Sequence, residues 1–164
     1  MKSPFRSLEE LVTRRQQWRK QGLTVVFTNG AFDLVHAGHV SYLQAARALG
    51  DLLIVGLNSD ASVRGYKGPT RPIVPELQRG IVLAGLRAVD YVTLFDSLTA
   101  EPLVSALQPD VYVKGGDYAH PEQASNGKEL PEARIVLAYG GQVELIQYQA
   151  GLSTSNLIAK IRSE

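Results

Sequence analysis

The sequence predicts a doubly wound α/β fold, a parallel sheet of about five strands with helices on both faces. Three observations lead there. Short β-branched and aromatic runs alternate with helical segments along the chain. The first run, residues 24–28, carries β-branched or aromatic residues throughout and stops at Asn29-Gly30, which suits a strand buried on both faces. A length of 164 residues is one domain's worth, with nothing left over for a second independent core.

Each element has its own signal. Ser7, with Glu10 three residues on, reads as a capping box that opens a helix with Leu8, Leu11, Val12 and Trp18 as its stripe. That helix ends near Gly22, and Arg14, Arg15, Arg19 and Lys20 form its wet face. Residues 1–22 are thus expected to pack as a helical extension on a single domain, 1–164. After strand 24–28 come a helix over about 37–49 closed by Gly50, a strand over 52–58, and a Gly- and Pro-rich loop over 59–74. Next along the chain are a helix over 75–88, a strand over 91–95, a helix over 100–107 and a strand over 111–114. A polar loop over 117–131, a helix over 132–139 and a strand over 142–148 precede a last helix from Ser153, with Leu157, Ile158 and Ile161 as its buried stripe. Such a Rossmann-like sheet binds ligands beyond the carboxyl ends of its strands, where the strand order reverses, so functional residues should lie just after strands. The two long loops read as lids.

Composition removes whole classes of function. With 17 basic and 16 acidic residues the net charge is +1, so no broad field draws in nucleic acid or an anionic membrane, and any anion is held by a local cluster. Cysteine is absent, which excludes disulfides, thiol catalysis and thiolate metal sites. The N-terminus lacks the apolar stretch of a signal peptide, and the apolar run at 52–57 is far too short to span a bilayer. A cytoplasmic protein is expected. Neither G-x-x-x-x-G-K-[ST], nor G-x-G-x-x-G after the first strand, nor a G-x-S-x-G elbow is present.

The first strand runs instead into Thr28-Asn29-Gly30-Ala31-Phe32-Asp33-Leu34-Val35-His36-Ala37-Gly38-His39. Two histidines three apart at a helix start share a face, where free N–H groups and the positive dipole end favour an anion. Gly30 and Gly38 let a phosphate approach the backbone. Phosphate oxygens would raise the imidazole pKa values and make both rings charge-assisted donors, which suits stabilising charge that grows during phosphoryl or nucleotidyl transfer. A zinc site is the alternative, but His120 is distant and Cys is absent, so no metal ligands are assigned.

His36-Ala37-Gly38-His39 after a strand ending Asn29-Gly30-Ala31-Phe32-Asp33 resembles the HxGH signature of the cytidylyltransferase-like nucleotidyltransferases. The likeness continues through Asn58-Ser59-Asp60, Lys67-Gly68-Pro69-Thr70-Arg71-Pro72, Gln78-Arg79, Ala88-Val89-Asp90-Tyr91-Val92, Pro109-Asp110, Lys114-Gly115-Gly116-Asp117-Tyr118 and Ser153-Thr154-Ser155-Asn156. Within the family the chain is most similar to the adenylyltransferase domain of bifunctional ADP-heptose synthases, in a stand-alone form. That resemblance implies transfer of AMP from ATP to D-glycero-β-D-manno-heptose 1-phosphate for lipopolysaccharide assembly, with Mg²⁺ carried on the nucleotide. It implies as partners ATP, a sugar phosphate, a separate sugar kinase and a second copy of the chain.

By the same resemblance Thr28, Asn29, Gly30 and Phe32 hold the nucleotide, with Gly38 beside them, and His36 and His39 flank the α- and β-phosphates. Lys67 and Arg79 add phosphate charge; Lys114, Gly115, Gly116 and Asp117 frame base and ribose. Ser153, Thr154 and Ser155 face the terminal phosphates. Asp33 is left to orient a histidine, meet the sugar phosphate or cap the helix, and Arg71 grips the sugar phosphate. Plainer structural roles stand beside these: Asn58-Ser59-Asp60 as a strand end and cap, Gly115-Gly116 as a turn, Ser153 to Ser155 as a cap, and Lys67 and Arg71 as solvated charges. Two departures stand out: Ala31 where the heptose enzymes commonly carry Cys, and a longer loop over 119–131. A cytidylyltransferase acting on glycerol 3-phosphate and a non-catalytic nucleotide sensor are the competing readings.

Overall fold

A computed structural model of the chain describes residues 3–115, 130–147 and 154–163. Five strands, β1 (Val25–Gly30), β2 (Leu52–Asn58), β3 (Tyr91–Phe95), β4 (Val111–Gly115) and β5 (Gln142–Ile146), form one sheet in the order β3-β2-β1-β4-β5. Every neighbouring pair is parallel. The chain winds outward from β1 to β3, then crosses back to β4 on the other side of β1. The switch point therefore falls between β1 and β4, as expected of a doubly wound fold.

The period-2 geometry of β1 explains its unbroken apolar sequence. Val25 and Phe27 point into one core with Leu11, Trp18, Leu103, Leu107 and Val136. Val26 points into the other with Leu43, Ala46, Leu83 and Val113. The helices that cover the first face are α1 (Leu8–Lys20), α5 (Glu101–Leu107) and α6 (Pro131–Ala138); α2 (Ala37–Arg47) and α4 (Glu76–Ala84) cover the second. α7 (Thr154–Arg162) comes after β5.

At the amino ends of the strands three aspartates close the ladder. Asp51 accepts from the Thr24 amide, Asp110 from Val25 and Asp90 from Leu53, at 2.7–2.8 Å. Asp90 and Asp110, two residues of the quoted motifs, are thus structural. Asp110 also holds Arg15 at 2.7 Å, and Arg15 is buried beneath α1 with two further bonds to the Gln108 carbonyl. That corrects its placement on a solvated face: α1 turns one arginine into the sheet's end.

Other differences are local. Residues 59–74 are not one loop, because Ser59 caps a helix, α3 (Asp60–Lys67), by accepting from Ser62 N–H at 3.1 Å, and Val63 anchors it in the interior. Gly65, Gly68 and Pro69 hid that turn of helix in the sequence. Ser7 caps α1 as expected, accepting from Glu10 N–H at 3.2 Å. In α7 only Ile158 of the expected stripe is buried, while Leu157 and Ile161 are exposed.

Candidate active site

A cavity of about 510 Å³ opens at the carboxyl ends of β1 and β4, with Asn29, Gly30, Lys114 and Gly115 in its wall. It lies where the strand order reverses. His39, Lys67 and Thr154 reach it from α2, α3 and α7, so separate strand ends and helix ends supply one site.

The histidine pair is held by its own backbone. Nδ1 of His36 accepts Gly38 N–H at 3.1 Å, and Nδ1 of His39 accepts His36 N–H at 3.4 Å, so both rings close the start of α2. In the neutral rings this hydrogen-bond pattern assigns the proton to Nε2, leaving each imidazole one outward donor. The ring centroids are 4.0 Å apart, and Phe32 lies 5.4 Å from His39. Burial, then the neighbouring His36, then Lys67 push His39 down to about 4. His39 is thus an uncharged donor at neutral pH, whereas the sequence leads one to expect a ring that phosphate keeps charged. Gly38 donates its amide to His36 and is not among the described residues that line the cavity.

The depressed His39 has a stability consequence with a definite sign. Between its unfolded value, near 6.5, and about 4 the unfolded chain binds a proton that the folded chain refuses, so stability falls as the pH is lowered through that window. His39→Gln is expected to flatten urea midpoints across that range relative to the wild type. A curve as steep as the wild type's would show that another group carries the acid sensitivity.

Backbone conformation at the end of β1 is unusual. Phe32 has φ of 44°, a left-handed setting that costs a non-glycine residue about 1 kcal/mol or more and persists where surrounding structure imposes it. Its ring folds over Gly30, where an added Cβ would come within 3.1 Å of it. Asn29 is fixed at both ends: its side-chain oxygen accepts from Tyr112 at 2.8 Å, and its carbonyl accepts from the Lys114 ammonium at 3.0 Å. Burial pushes Lys114 down to about 8, against the pull of the Glu132 carboxylate.

Four of the expected ligands have other jobs. Thr28 is fully buried under the cavity and shares a 2.7 Å hydrogen bond with the Tyr42 hydroxyl, itself a donor to Val113. Arg79 is 1% exposed and donates to the carbonyls of Val74, Ala31 and Asn58 and to Asp60, the last at 2.7 Å. Such a guanidinium is a strut beneath β1 and β2, which overturns its assignment to phosphate charge. Asp33 caps no helix and orients no histidine; both of its oxygens are taken by Arg71 and by the amides of Ile73 and Val74. Burial pushes Asp33 up, but those amides and the Arg71 guanidinium outweigh it and hold the carboxyl below its usual range. Arg71 is accordingly no solvated charge: Nε sits 2.7 Å from Asp33, and Nη2 is buried with no partner among the described residues.

Lys67 is exposed at the end of α3, its ammonium 5.8 Å over the Tyr66 ring. Thr154 donates to the Leu34 carbonyl at 3.3 Å and brings the start of α7 to the cavity. Gly116, Asp117 and Ser153 lie outside the described residues, as does the side chain of Ser155. The cavity adds residues that no sequence motif singled out, among them Tyr42, Tyr66, Thr99 and Glu132. Tyr66 could have been found beside Lys67; Glu132 comes directly after the polar loop and carried no signal beyond a helix start.

The profile of the cytidylyltransferase-like family matches residues 27–160, spanning β1 to α7 with the histidine pair inside it. The chain belongs to that family and is a nucleotidyltransferase. It is 52% identical over 159 residues to "Bifunctional protein HldE" of Syntrophotalea carbinolica, covering 97% of this chain and 31% of that one. The HldE of Trichlorobacter lovleyi is 57% identical over 143 residues, covering 87% of this chain and 28% of that protein. The chain thus spans under a third of the length of these relatives. Among solved structures, a lipopolysaccharide core biosynthesis protein from Thermoplasma volcanium superposes with a TM-score of 0.61 at 27% identity, covering 78% of this chain and 98% of that one. Pantoate-beta-alanine ligase from Francisella tularensis, at 12% identity and a TM-score of 0.62, covers 93% of this chain and 71% of its own, and shares the fold.

Proposed function

We propose that the chain transfers AMP from ATP to a sugar 1-phosphate, D-glycero-β-D-manno-heptose 1-phosphate, releasing pyrophosphate and ADP-heptose. One observation carries the reading: two adjacent imidazoles hold Nδ1 on backbone amides and keep Nε2–H as their free donor, and one of them, His39, lines a switch-point cavity together with Lys67. The match to HldE proteins supports the sugar, as does the likeness to a lipopolysaccharide core biosynthesis protein.

The acceptor phosphate is already ionised near neutral pH, so it needs no general base. One of its oxygens attacks the α-phosphorus in line; a new P–O bond forms, the α–β bridge breaks, and pyrophosphate leaves with the electron pair. His36, His39 and Lys67 stabilise the charge that builds up on the α- and β-phosphates, and catalysis is positioning and electrostatics. Asn29, Gly30, Phe32, Lys114, Gly115 and Thr154 shape the nucleotide's seat. Among the described residues no group of three or more His, Asp or Glu converges to cage a metal, and Asp33 is fully committed. Mg²⁺ carried on the triphosphate would supply charge neutralisation there, and no described residue of the chain is assigned to hold it.

Among the described residues no helix is long and apolar enough to cross a membrane. We place the reaction in the cytoplasm, with a separate kinase-class reaction supplying the acceptor phosphate and a homodimer as the assembly. The reading is tested by pyrophosphate release across ATP, CTP and a set of sugar phosphates and glycerol 3-phosphate. ATP with the heptose 1-phosphate should be preferred, and EDTA should abolish turnover; preference for CTP with glycerol 3-phosphate would instead establish the sibling cytidylyltransferase. We assign Arg71 to the acceptor, since Asp33 in the cavity wall holds its guanidinium beside the end of β1. Arg71→Ala should raise the acceptor KM about tenfold, roughly one lost charge-assisted contact, while the KM for ATP moves far less. Equal losses for both would return Arg71 to the nucleotide.

A further inference from the structure

The cavity wall contains two carboxylates among its described residues, Asp33 and Glu132. Asp33 has no acceptor capacity to offer a ligand, since Arg71, Ile73 and Val74 occupy it. Glu132 differs. It is 4% exposed in the first turn of α6, and Oε1 accepts the Ala100 amide at 2.7 Å, tying α6 to the start of α5. Its other oxygen makes no hydrogen bond or ion pair among the described residues. Glu132 lines the cavity beside Lys114, whose ammonium feels its carboxylate charge.

A buried carboxylate is a poor neighbour for a triphosphate. In a cavity whose His39 and Lys67 serve anionic groups, it marks the place of an uncharged part of the ligand that offers a hydrogen-bond donor. Its surroundings narrow the choice. Pro131 precedes it in the chain, and Leu98 and Thr99 lead into the Ala100 amide it holds; Leu98 and Pro131 add apolar groups to the wall. A planar base fits such a wall better than a hydroxyl-covered sugar ring.

We propose that Glu132 determines base specificity, with Oε2 accepting a hydrogen bond from the exocyclic amine of the bound nucleoside triphosphate. Adenine and cytosine carry that amine; hypoxanthine and uracil place a carbonyl oxygen there, which meets the carboxylate as a second acceptor. This inference rests on the nucleotide reading of the cavity and extends it to a residue that the histidine motif does not include.

Calorimetry with ATP and inosine triphosphate tests it on the intact chain. Wild type should bind ATP at least about tenfold tighter than inosine triphosphate, because a buried acceptor left facing an acceptor is strongly rejected. Glu132→Gln keeps an oxygen for the Ala100 amide and turns an amide N–H₂ towards the base. It should weaken ATP about tenfold, leave inosine triphosphate equal or tighter, and keep the wild-type melting temperature within a few degrees. CTP against UTP gives the same comparison for pyrimidines. An unchanged ratio between ATP and inosine triphosphate in Glu132→Gln overturns the proposal. So does an effect of Glu132→Gln that disappears with 2′-deoxy-ATP while persisting with inosine triphosphate, which moves the contact to the ribose. Wild type that binds no nucleoside triphosphate at all removes the nucleotide reading itself, a result distinct from binding without discrimination.

Discussion

His39→Ala is expected to lower single-turnover transfer from ATP by about 10²–10³-fold, the usual effect of removing one donor aimed at developing charge. His39 lines the cavity, and its Nδ1 is occupied by the His36 amide, so Nε2–H is the donor lost. The fold should survive, because the ring closes only one long hydrogen bond of 3.4 Å at the start of α2. His36→Ala gives up a cap contact as well, worth about 1 kcal/mol of stability, beside a comparable kinetic loss. Far-UV circular dichroism and urea unfolding separate the two effects. A His39→Ala enzyme turning over within about threefold of wild type would contradict the role given to the pair.

Arg79→Ala should act on the fold before it acts on chemistry. Its guanidinium serves three carbonyls and Asp60 with essentially no solvent access. Removing it strands the carbonyls of Ala31, Asn58 and Val74 beneath the active-site strands and leaves the partly exposed Asp60 without its partner, a loss of about 2–4 kcal/mol. Against a total stability of about 5–15 kcal/mol that is a large fraction. Arg79→Lys should not restore it, since an ammonium cannot reproduce the planar fork that reaches four acceptors. Chemical denaturation measures the change directly. A variant as stable as wild type with a raised KM for ATP would instead make Arg79 a phosphate ligand.

Arg79 also shows where sequence reasoning ends. Its position about one turn into the helix after a Gly- and Pro-rich segment says nothing about depth, and arginine is mostly found exposed, so its charge invites a functional reading. The burial depends on α3 and α4 folding together around it, which is tertiary information. Arg15 is the same case at the opposite end of the sheet, where Asp110 draws it under α1. Asp33 and Arg71 are legible as residue types suited to a site, yet their mutual contact joins the end of β1 to a segment 38 residues away.

The legible part rests on local physics. The unbroken apolar run of β1 can be satisfied only between two helical layers, and both cores confirm that. The HxGH tetrad announces a helix start carrying two rings on one face, and the reciprocal caps of His36 and His39 follow from that spacing. Glu132 has no such pattern. Only the packing of α6 on α5 turns it towards the cavity.

The central claim, nucleotidyl rather than phosphoryl transfer, is most directly tested with ATP labelled at either the α- or the γ-phosphorus, incubated with a sugar 1-phosphate. Label from the α position should appear in the sugar product, with the γ label leaving as pyrophosphate. Recovery of the γ label in the sugar product, or of no label from the α position, would contradict it.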